Sequence, residues 1–85
     1  MIRLKTGELY TLDIYEGKIP FEGYIEISKQ AQNFSTSEII PFGMYQYRSE
    51  PAFKGNDRVV ISVFGSAGAG DFYKTLEINI SFEIY

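Results

Sequence analysis

Residues 74–85 alternate without a break: Leu76, Ile78, Ile80, Phe82 and Ile84 share one parity, and Thr75, Glu77, Asn79, Ser81, Glu83 and Tyr85 share the other. Successive side chains of a strand point to opposite faces, so the first set belongs against a core and the second faces water or a partner. At about 3.3 Å per residue such a strand spans roughly 40 Å if straight, which predicts a bend, a bulge or an overhang beyond its neighbours. A chain ending this way is committed to a sheet.

The choice of apolar residues agrees. Eleven Ile and fourteen Phe or Tyr stand against four Leu and four Ala, a bias toward branched and aromatic side chains that suit a pleated surface. Residues 58–64 are apolar on nearly both parities and are placed centrally in the sheet. The run 65–70, Gly-Ser-Ala-Gly-Ala-Gly, reads as a flexible connection between these two strands, making the C-terminal third one large hairpin. Residues 9–15 and 19–28 alternate on either side of Glu16-Gly17-Lys18 and predict a second hairpin, with Pro20 and Gly23 marking an edge or a bulge. Residues 2–5 and 42–48 add short strands, and 51–57 reads as a loop. Residues 29–37 are polar without a clean period, suggesting a loop or one helical turn. The expectation is a single all-β domain over residues 1–85, a small antiparallel β-sandwich or barrel of five to six strands, with one short helical turn near residues 29–37.

With no His and no Cys, imidazole catalysis, thiol nucleophiles and the usual zinc ligands are all removed, along with any disulfide framework. A carboxylate pair remains conceivable. Glu77 and Glu83 share a parity, but six positions along one strand separate them by roughly 20 Å, too far to act on one bond. The glycine run lacks the Gly-Lys-Ser/Thr of a phosphate loop and is followed by Asp71, which repels phosphate. A calcium site from Asp57 and Asp71 lacks any regular spacing of oxygen ligands, and scattered turn aspartates are the commoner arrangement. Asn33 and Asn79 open glycosylation sequons that matter only in a secreted chain. No catalytic residue, metal ligand or cofactor is assigned.

Eight basic residues against eleven acidic ones give a net charge of −3, opposite to the footprint of a nucleic-acid binder. Charged residues punctuate the first five positions, leaving no apolar stretch for a signal peptide or membrane span, so a cytoplasmic protein without a membrane partner is expected. The remaining signal is aromatic: Tyr45 and Tyr47 share one parity opposite Met44, and Tyr85 lies on the polar face of the last strand. Exposed Tyr suits protein interfaces and sugar stacking. The leading expectation is therefore a non-enzymatic protein-binding or assembly module, in its simplest version a homo-oligomer, acting through a strand edge and Tyr45, Tyr47, Glu77, Glu83 and Tyr85. The alternative is a small carbohydrate-binding domain. A third, carried by composition and length alone, is an accessory or inhibitor protein of a phage or mobile element.

Overall fold

The computed structural model describes residues 1–15, 23–41, 43–68 and 71–85. Among them lie seven strands and no helix: β1 (Ile2–Leu4), β2 (Tyr10–Asp13), β3 (Tyr24–Lys29), β4 (Phe34–Ile40), β5 (Met44–Ser49), β6 (Gly55–Gly68) and β7 (Asp71–Ile84). They form a four-stranded sheet in the order β1-β7-β6-β3 and a three-stranded sheet in the order β2-β5-β4. Every pairing is antiparallel except β1 with β7. The architecture is a small all-β sandwich, as the alternation and composition predicted, with one strand more than the upper expectation.

β6 is central and buried on both faces, as its two apolar parities require: Val59, Ile61 and Val63 point inward, while Val60 and Ser62 are buried on the other side. Opposite them Ile80, Phe82 and Ile84 of β7 are buried, and Ile78 packs on the same core. Leu76 holds the expected parity yet is 52% exposed, because β7 runs past the second sheet. The overhang predicted from the length of the alternation is real. It carries a bulge as well, since the register steps from Val63↔Leu76 to Phe64↔Lys74 and leaves Thr75 unmatched.

Four local expectations are corrected. Residues 29–37 hold the end of β3, a crossing and the start of β4, with no helical turn. A second bulge explains the missing period: the register steps from Phe34↔Ser49 to Thr36↔Arg48, so Phe34, Ser37 and Ile39 reach the core side despite mixed parity. Among the described residues the hairpin predicted between 9–15 and 19–28 does not form. β2 pairs with β5 in one sheet and β3 with β6 in the other, so the chain crosses between layers, through residues 16–22 outside the described set. Finally, the glycine run is largely strand, pairing Gly65↔Tyr73, Ser66↔Phe72 and Gly68↔Asp71, and the loop expected over 51–57 gives way to strand at Gly55. Gly23 does have a constraint of its own: at φ 126, a Cβ there would overlap the Phe64 carbonyl oxygen.

The facing of β7 yields a direct test. Ile80→Asp buries a carboxylate in the middle of the core and should lower the stability by about 3 kcal/mol or more, whereas Ser81→Asp, on the outer face opposite Arg58, should stay within about 0.5 kcal/mol of the parent in urea unfolding. Equal midpoints would invert the assigned faces.

Candidate functional site

Tyr45 and Tyr47 are core residues, each 0% exposed, which corrects their expected place on a binding surface. The cause lies in β5 itself: Gln46 and Arg48 occupy the other parity, so turning that face inward would bury a cation and an amide. Tyr47 stacks on Phe82 with ring centroids 4.1 Å apart, and Tyr10 meets the same Phe82 edge-on at 5.6 Å, joining the two sheets. Each buried hydroxyl has a partner. Tyr47 donates to Asp57 at 2.8 Å, and Tyr45 hydrogen-bonds Ser37 at 2.7 Å, which in turn donates to Gln30. Asp57 also accepts the backbone N–H groups of Gln32, Asn33 and Arg58 at 2.9, 3.0 and 2.9 Å. Both of its oxygens are thus engaged in structure, and the side chain of Asp71, the other acid weighed for calcium, lies outside the described set. Among the described residues no group of three or more acids is placed to hold a metal ion.

The other expected site residues separate into two places. Glu83 pairs with Arg3 at 2.9 Å, and the Arg3 guanidinium lies 4.6 Å from the ring centre of Tyr85, a cluster that fastens β1 to the end of β7. Glu77 stands six positions away on the same outer face and pairs with Lys74 at 3.3 Å. A groove of about 370 Å³ crosses the outer face of the larger sheet, lined by Lys29, Gln32, Asn56, Arg58 and Ser81. Its lining is mixed, since the exposed Met1 and the buried Asp57 and Phe82 stand beside these polar side chains.

The surface that stands out is one the sequence reading passed over. β1 pairs with β7 only at 82–84, so among the described residues no strand covers the far side of β7 from 71 to 81. That edge is flanked by exposed apolar groups: Phe72 at 50%, Tyr73 at 53% and Leu76 at 52%. Tyr24 stacks on Phe64 at 4.6 Å and meets Phe72 edge-on at 5.2 Å, extending the aromatic surface across the outer face of the overhang. On the opposite face the Tyr73 ring lies against Gly65, where an added Cβ would stand 3.5 Å from Cζ. The signal lies in Phe72-Tyr73, one residue past the glycine run and ahead of the alternation that begins at residue 74.

No helix among the described residues is long and apolar enough to cross a membrane. The chain matches no known family model, no curated protein and no solved structure.

The buried tyrosines make a pH prediction. Burial pushes the Tyr45 hydroxyl up from 10 to about 12, partly countered by its bond to Ser37, and it pushes Tyr47 higher still, helped by Asp57. The fold favours the neutral phenols, so their contribution to stability is full below the unfolded value near 10 and is lost as pH rises toward 12. The urea midpoint should fall across that window, and Tyr45→Phe with Tyr47→Phe should flatten the fall. At pH 7, Tyr47→Phe alone leaves Asp57 one donor short and should cost about 1–3 kcal/mol.

Proposed function

We propose that this protein is a non-enzymatic protein-binding module whose partner adds a strand to the open edge of β7. The observation that carries this reading is the coincidence, on one overhanging hairpin, of a backbone edge over 71–81 that no described residue covers with exposed Phe72, Tyr73 and Leu76. An open edge presents a row of backbone donors and acceptors to any extended segment, and exposed apolar groups beside it add affinity through burial. Proteins usually blunt such edges. Here the blunting is limited to the Thr75 bulge and to Lys74 and Glu77, which pair with each other along the strand.

The competing edges are less suited. β1 and β2 are three and four residues long and β3 and β4 six and seven, against fourteen in β7. Carbohydrate stacking is the weaker reading, because two of its three rings, Tyr45 and Tyr47, lie in the core and Tyr85 alone of them is exposed. A cytoplasmic setting belongs to the same proposal, since a chain without cysteine draws nothing from an oxidising compartment.

The combined variant Tyr73→Lys and Leu76→Lys places two charges beside the edge at side chains already half in water, so its melting temperature should stay close to the parent's. Proteins retained by the tagged parent from its source cells should be lost by the variant, as read by quantitative mass spectrometry. Equal retention by a folded variant would overturn the edge as the binding surface.

A further inference from the structure

We infer that the strand added to β7 is β7 of a second copy of this chain, paired antiparallel about a two-fold axis at Leu76; this rests on the edge reading above and names its partner. An antiparallel edge pair closes as a two-fold dimer only with the axis perpendicular to the sheet, so facing residues must share a face. The run 71–81 meets that condition on itself. Carrying the Thr75 bulge through, as the pairing with β6 already does, sets Leu76 against Leu76 and Glu77 against Lys74 of the other copy, with Ile78 against Tyr73. Apolar groups that are exposed in one chain, Leu76 and Tyr73, then cover apolar groups, and opposite charges stand across from each other twice by symmetry.

Neighbouring registers are worse for identifiable reasons. An axis at Glu77 or at Lys74 sets like charges directly opposite. An axis at Ile78 brings the other copy's Tyr73 level with Phe82, the position where Ile2 of β1 is already paired. With the axis at Leu76, the free run is used over its whole length and ends where β1 begins. The product is one continuous sheet with four strands from each copy.

The chain has no cysteine, so a single introduced thiol reports on one position only. Light scattering should give a dimer at micromolar concentration, and Leu76→Cys should crosslink to itself under mild oxidation while Glu77→Cys should not. Lys74→Glu or Glu77→Lys alone should weaken the dimer at least about tenfold, and the two together should restore it, because the cross-strand pairs are re-formed with signs exchanged. The exposed sites leave the fold intact, which melting temperatures of the singles verify. A monomer at every concentration overturns the second-copy inference; the edge reading would then stand or fall on the retention experiment. A dimer crosslinked through Glu77→Cys and not Leu76→Cys overturns the register, as does failure of the exchanged charges to restore association.

Discussion

The stack of Tyr47 on Phe82 is the contact on which the sandwich turns, because it is where an aromatic ring from each sheet meets in the interior. A buried Tyr brings a hydroxyl with it, and an unpaired hydroxyl there would cost a few kcal/mol. Asp57 answers that need, and the requirement propagates. The carboxylate is itself buried, so it is held by the amides of Gln32 and Asn33, which fixes the crossing from β3 to β4 over the end of β6. A second chain of bonds, Tyr45 to Ser37 to Gln30, ties the same crossing to β4. The core therefore sets both the spacing of the sheets and the path of the chain between them. Every buried side-chain polar atom among the described residues finds a partner.

Much of the architecture was legible in the sequence, and what was not has specific causes. The facing of β7 and the central position of β6 follow from hydrophobic parity, since burial on one face or two leaves a direct trace. Tyr45 and Tyr47 were misplaced because Tyr is amphipathic and its own hydropathy does not choose a face; the deciding residues were their neighbours Gln46 and Arg48. The strand at Phe34–Ile40 was obscured by its bulge, which shifts parity by one and destroys the period that reveals a strand. Pairing was the least readable feature: β2 and β3 are consecutive yet lie in different sheets, a choice made by long-range packing that no local pattern records.

The overhang shows the same limit at the candidate site. Alternation assigned Leu76 to the inner face correctly, but the face of a strand and the presence of something to cover it are separate facts. β6 and β7 are each fourteen residues long, while the strands of the smaller sheet reach at most seven, so the hairpin outruns its cover. An isolated two-stranded ribbon is marginal in water. Here it gains local support from Tyr24 on Phe64, from Tyr73 over Gly65, and from Thr75 donating to the Val63 carbonyl at 3.1 Å. Opening free energies are lowest where buried apolar contacts are fewest, so the stability of the hairpin falls from the core toward its tip.

That gradient bears on why charges sit where they do. A lysine on an edge ordinarily deters strand addition, because an arriving strand without a matching acid leaves it desolvated or opposed. Under the edge reading proposed above, Lys74 and Glu77 on one face, three positions apart and of opposite sign, would deter selectively: a strand with the reversed order of charges fits, and one with like charges at those positions does not. On that proposal, the two side chains that would recognise a partner also guard the edge against promiscuous pairing. In the antiparallel arrangement we propose, a copy of β7 itself presents the reversed order at the correct spacing, with an apolar residue between.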